Sequence, residues 1–164
     1  MLNQKSNNKN PKSKIMIQRI QSVFLFASLC FLIPMFFAPI AVLVHETGEV
    51  IMFNLVGFYL NEAEFATHEY SIMLFGLLIC ALNLIIIFMY RNRILQIRLC
   101  IYNIILLIGL SGVVLFVLYN IHDIQTISFN MPAVFPIIAI ILHYLAFRGI
   151  RKDELMVQAL SRLR

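Results

Sequence analysis

Three pairs of side chains that could hold a divalent cation punctuate the sequence: His45 with Glu49, His68 with Glu69, and His122 with Asp123. Imidazole nitrogen and carboxylate oxygen are common ligands of zinc and related ions, and converging pairs would supply enough donors for one site. His45 and Glu49 stand four residues apart, the separation of one helical turn. None of the pairs has the tight ligand spacing of a zinc helix, however, and a histidine beside an acid is ordinary polar surface. No metal site is therefore assigned. A second set of polar residues lies inside apolar runs: His143, with the amides Asn83 and Asn103. Interhelical hydrogen bonding at modest energy is the role expected of them. Cys30, Cys80 and Cys100 are odd in number and form no close pair, which points to reduced, structural thiols. No glycine-rich phosphate loop, nucleophile elbow or His-Glu-x-x-His helix is present. The expectation is a non-enzymatic protein without a cofactor.

The elements that carry these residues are set by composition. With 61% hydrophobic and 13% charged residues, the chain has too few charges to cover the surface of a soluble domain of 164 residues. Its mean hydropathy is +0.87. Lipid must serve as solvent for much of it. Four spans of about 20 residues consume about half the chain, so the expected layout is a disordered tail over 1–15 and a single membrane domain over 16–164.

The spans are expected at about 23–44, 71–90, 99–119 and 132–150. The run from Val23 to Val44 contains no charge and outlasts a signal-peptide core, so it reads as a retained anchor. Pro34 and Pro39 predict a kink within it. Val50 to Asn54 and Gly57 to Leu60 are apolar and β-branched or aromatic, broken at Gly57, and predict a small β-hairpin in the first long loop. After Phe147 the apolar positions Ile150, Met156, Val157, Leu160 and Leu163 recur at helical spacing among charges, predicting an amphipathic helix on the membrane surface. Gly109, Ser111 and Gly112 would let a neighbouring helix approach span three. The fold class expected is an all-α membrane protein: an antiparallel four-helix bundle with an external hairpin and a cytoplasmic C-terminal helix.

Charge fixes the expected orientation. All thirteen Lys and Arg residues lie before span one, between spans two and three, or from Arg148 onward, at and beyond the end of span four. The other two loops carry none, and they hold Glu46, Glu49, Glu62, Glu64, Glu69 and Asp123. Basic loops stay in the cytoplasm on insertion, which puts both termini inside a bacterial inner membrane. With only Asp153 and Glu154 opposing them, the basic residues give that side a net charge of +11, enough to attract anionic lipid head groups. No aromatic-basic groove accompanies them, so nucleic acid is not an expected partner. Apart from Arg148 at the very end of the fourth, the expected spans contain no Asp, Glu, Lys or Arg, which argues against proton pumps and ion-coupled carriers.

The two cytoplasmic ends carry a more specific signal. Met16-Ile17-Gln18-Arg19-Ile20-Gln21-Ser22 enters span one, and Ile150-Arg151-Lys152-Asp153-Glu154, then Val157 and Arg162-Leu163-Arg164, close the chain. These motifs resemble the domain-of-unknown-function family numbered 4293, small four-span membrane proteins of Bacteroidetes, over Met16 to Arg164. The resemblance implies an inner-membrane location and a start near Met16, and it supplies no activity. Gln18, Arg19, Arg151, Lys152, Asp153, Glu154, Arg162 and Arg164 are the candidate site residues; one reading is a contact of Arg19 with Asp153 and Glu154 that closes the bundle, the other is independent lipid-facing charge. The leading expectation for function is an interaction or assembly subunit with a membrane-protein partner. The alternative is a small transporter, channel or metal-handling protein built on the external His and acidic residues.

Overall fold

A computed structural model of the chain describes residues 11–45, 48–60, 64–68, 70–89, 92–121 and 124–162; the side chains of 11–21, 64–68 and 156–162 fall outside that description. Four helices and five strands alternate along it. Helix α1 (Pro11–Leu32) leads through a 3-10 turn, Ile33–Phe36, into four strands, β1 (Ala41–His45), β2 (Val50–Phe53), β3 (Gly57–Leu60) and β4 (Glu64–His68). Helices α2 (Tyr70–Phe88) and α3 (Arg93–Tyr119) follow. Then come β5 (Ile124–Phe129), a second 3-10 turn at Met131–Val134, and α4 (Phe135–Arg162).

The first expected span ends early. Pro34 has no N–H to donate and its ring crowds the preceding turn, so the helix tightens and stops. The amides of Phe37 and Ala38 both turn back to the Pro34 carbonyl, at 3.1 and 2.8 Å. Residues 41–44, expected inside the membrane helix, instead belong with His45 to β1, the strand next to the β5 edge of a five-stranded antiparallel sheet ordered β4-β3-β2-β1-β5. β1 is paired on both sides, with Ala41 opposite Phe53 on β2 and opposite Phe129 on β5. The expected hairpin is present as β2 and β3, but as the middle of this larger sheet, so the fold is not all-α. At the hairpin turn the buried Asn54 accepts the amides of Val56 and Gly57 on its Oδ1, at 2.8 and 3.1 Å. Gly57 has a φ of 154°, a backbone conformation that L side chains rarely adopt.

Two further boundaries differ from expectation. Pro11 to Ile15, assigned to the tail, begin α1, whereas residues 1–10 lie outside the described chain. The expected surface helix at the C-terminus is the continuation of α4, which runs unbroken to Arg162. Only Gly149 interrupts the helix formers there, and one glycine costs about 1 kcal/mol, too little to end a helix packed against a neighbour.

The helices form a ring. α1 packs most extensively against α4, α4 against α3, α3 against α2 and α2 against α1. Neighbours run antiparallel: Leu25 shares an apolar cluster with Ile86, Cys100, Ala146 and Ile150, while Leu32 belongs with Ile79, Leu107 and Ala139 in the other. The second cluster also takes in Ile40, Leu43, Phe53, Leu55 and Phe58, so the sheet sits on one end of the ring and shares its core. Gly76 is the closest approach at this junction. A Cβ there would lie 3.1 Å from the Phe36 ring and 3.2 Å from Leu55. Of the small residues expected to admit a neighbour in α3, Gly109 receives the ring of Phe75, while Gly112 faces open space.

The outer faces are as apolar as the core. Leu74, Leu77, Leu78, Ile105, Ile108, Phe116, Ile137 and Ile141 are all exposed. A soluble monomer does not present such a surface, because a helix apolar all round must be covered by lipid or protein. Among the described residues three helical stretches are long and apolar enough to cross a membrane, Tyr70–Phe88, Arg93–Tyr119 and Met131–Leu155; the apolar part of α1, Ser22–Phe36, is shorter.

Candidate functional site

Between the two apolar clusters each helix contributes one buried polar side chain. On α1, Ser28 lies between Leu25 and Leu32; on α2, Asn83 lies between Ile79 and Ile86. On α3, Asn103 lies between Cys100 and Leu107; on α4, His143 lies between Ala139 and Ala146. All four are fully buried, so a single polar layer crosses the ring where the apolar packing changes from one cluster to the other.

The layer consists of two hydrogen-bonded pairs. The Ser28 hydroxyl donates to the Leu25 carbonyl at 2.9 Å and accepts from Asn83 Nδ2 at 2.7 Å, tying α1 to α2. His143 Nδ1 lies 3.0 Å from the Ala139 carbonyl, which can only accept, so the proton is on Nδ1. Nε2 then accepts from Asn103 Nδ2 at 2.8 Å, tying α4 to α3. This tautomer follows from the hydrogen-bond network. Asn83 Oδ1 and Asn103 Oδ1 are buried without a donor among the described residues. Two turns beyond Asn103, toward the start of α3, buried Gln96 donates to the Ile86 carbonyl at 3.1 Å and braces the α2–α3 connection.

Chemically the layer offers a neutral imidazole, two amides and a hydroxyl. It contains no carboxylate and no activated nucleophile, and its evident work is to fix how the helices are aligned. Interhelical hydrogen bonds in membranes contribute roughly 0.6–2 kcal/mol each, and the cost of leaving a polar group bare makes wrong registers worse. The bonding expected of Asn83, Asn103 and His143 is therefore present. Ser28 was not singled out by sequence, since a serine in an apolar run is unremarkable until its partner is known.

The two described loop histidines, His45 and His68, do not converge. His45 ends β1 and its amide donates to the Glu49 carbonyl at 2.9 Å across a turn in which Gly48 has a φ of +85°, so the two are joined by a strand turn and not a helical one. His68 is on β4, three strands away, which is about 14 Å at the usual strand spacing. It also lies toward the opposite end of the sheet, since it pairs with Gly57 whereas Val44 pairs with Val50. One ion cannot bind both. His122, Asp123 and Glu69 lie outside the described residues, and no group of three possible metal ligands is found among the described ones.

The end motifs fall at the other end of the ring. Gln18 and Arg19 are on α1, before Leu25, while Arg151, Lys152, Asp153 and Glu154 follow Ile150 on α4. Leu25 and Ile150 share a cluster, so antiparallel packing places the backbone of Arg19 and that of Glu154 on neighbouring turns. The side chains of Gln18, Arg19 and Arg162 lie outside the description, and Arg164 lies outside it altogether. Arg151 and Lys152 are exposed; Asp153 and Glu154 are half-buried. If the expected pair closes the ring, a double-mutant cycle on Arg19 and Glu154 gives a coupling energy in detergent unfolding, and strict additivity rules the pair out.

No curated protein matches the chain. One family model does, described as a domain of unknown function (DUF4293), over residues 17–163. That match takes in the whole sheet, α2, α3, α4 and α1 from residue 17 onward, and the chain belongs to this family, the domain-of-unknown-function family 4293.

Proposed function

We propose that this protein crosses the bacterial inner membrane with all four helices, keeps both termini in the cytoplasm, and acts there as an assembly subunit that recruits its partner through the edge of its sheet. Three helices already have the length and hydropathy of spans. For α1, Ser22–Phe36 gives about 22 Å of apolar helix, which bilayer thinning can accommodate. Every Lys and Arg among the described residues belongs to the end of the ring opposite the sheet, the distribution that insertion imposes on a cytoplasmic face.

The observation that carries the assembly role is strand β5. It stands at one end of the strand order, hydrogen-bonded to β1 alone, and its six residues are Ile-Gln-Thr-Ile-Ser-Phe. Sheet edges in soluble domains are normally guarded by Lys, Pro or bulges because bare N–H and C=O groups pair with any extended chain. β5 has no charge and no proline, and the irregularity in its pairing is confined to the Val44/His45 end. The remaining edge fits a partner that adds a strand, with main-chain hydrogen bonds giving affinity.

A photo-crosslinking residue placed at the exposed Ser128 in native membranes should yield one discrete adduct with a protein that has an extracytoplasmic segment. Thr126→Lys, which charges the edge, should cut the adduct severalfold while leaving stability within about 0.5 kcal/mol, as for surface changes generally. No adduct, or one with a cytoplasmic protein, overturns the reading.

A further inference from the structure

We infer that the outward face of α4 at the basic end is a binding site for one anionic phospholipid, its phosphate held by Arg148, Arg151 and Lys152 and its acyl chain laid against Tyr144 and Phe147. These five residues and Leu155 line one shallow groove. At 100° per residue they fall on one side of the helix, while Ala139, His143, Ala146 and Ile150, all fully buried, fall on the opposite side against the ring. The groove therefore faces the membrane.

Its composition changes at one level. Phe135 to Phe147 has no formal charge and Arg148 begins the cationic segment, so the groove spans the boundary between hydrocarbon and head groups. The rings of Tyr144 and Phe147 lie 6.5 Å apart, tilted by 34°, and form the apolar floor. Above them three cations stand within two helical turns, and none forms an ion pair among the described residues. Asp153 and Glu154 flank the buried face and are half-buried, which leaves the outward charge uncompensated. Three cations with no ion pair among the described residues, set over an aromatic floor, complement an amphiphile whose one end is a phosphate and whose other end is hydrocarbon. A zwitterionic head would bring its own cation against the arginines.

The inference shares the membrane placement proposed above but not the β5 edge, and its test separates the two. The full chain, delipidated in a neutral detergent, is titrated with phosphatidylglycerol or phosphatidylcholine and bound lipid is counted by native mass spectrometry. One phosphatidylglycerol per chain is expected, preferred over phosphatidylcholine, and R148Q/R151Q/K152Q should weaken it on the order of 100-fold, about fivefold per cation. Tyr144→Ala, which removes floor and no charge, should weaken it by a smaller factor. R93Q/R98Q, which removes cations from the same end outside the groove, should change it less than twofold. Equal weakening by R93Q/R98Q, equal binding of phosphatidylcholine, or full competition by glycerol phosphate without acyl chains each overturns the site. Loss of the Ser128 adduct described above leaves it intact.

Discussion

Phe53→Ala is expected to destabilise the protein by about 3–5 kcal/mol, the range for emptying an aromatic site in a well-packed core. Phe53 is fully buried, lies 4.8 Å from the Phe58 ring, and accepts the Ile40 amide on its carbonyl at 2.7 Å. Its ring belongs to the cluster that joins the sheet to Ile72, Leu110 and Leu118 of the helices. Alanine leaves the main-chain bond and deletes the ring, so the loss reports on the junction alone. Phe129, opposite Ala41 on the other side of β1 and half-exposed, is the matched control and should lose much less on the same change. Equilibrium unfolding in detergent, followed through the sheet signal in circular dichroism, measures both. Equal losses would mean that the sheet does not share a core with the helices.

His143→Leu carries the second large effect, and its sign relative to Asn103→Leu is the sharper test. Removing the imidazole leaves the Asn103 amide with neither end partnered in a fully buried place, a penalty of about 1–3 kcal/mol for each bare polar group. Removing Asn103 instead bares only the Nε2 lone pair and also deletes the donorless Oδ1, so its cost should be smaller, near 1 kcal/mol. The double variant should be more stable than the sum of the singles implies. Unfolding titrations of the three variants give the cycle directly. If Asn103→Leu proves the costlier change, the hydrogen-bond assignment of the layer is wrong.

Much of the bundle could be read from residues because its signals are local. α2 falls within two residues of the span expected from Ser71 to Tyr90, since charge and polarity bound an otherwise uniform apolar run. The last span was expected to end near Ile150, and its helix runs on to Arg162. Residues 41–44 misled for a physical reason. A strand paired on both sides and buried in a core is as uniformly apolar as a membrane helix, so hydropathy cannot separate the two. β2 and β3 were legible because a tight turn at Asn54 to Gly57 joins them, whereas β5 pairs with a strand far earlier in the chain and lacks clean alternation. Of the polar layer, the three strongly polar members were visible, but their pairing was not. It depends on which turns of four helices meet, and that is decided by Leu25, Ile86, Cys100 and Ala146 on one side and Leu32, Ile79 and Leu107 on the other.

The seating of β1 between β2 and β5 has a consequence for biogenesis. Until two more helices have left the ribosome and the segment from Ile124 has followed them, the nascent chain displays a naked row of main-chain donors and acceptors from Ala41 to Val44. Completion of the sheet is thus a late checkpoint. A chain halted before Ile124 remains adhesive along that row and becomes a natural client for quality-control proteases, while a finished one has sealed it.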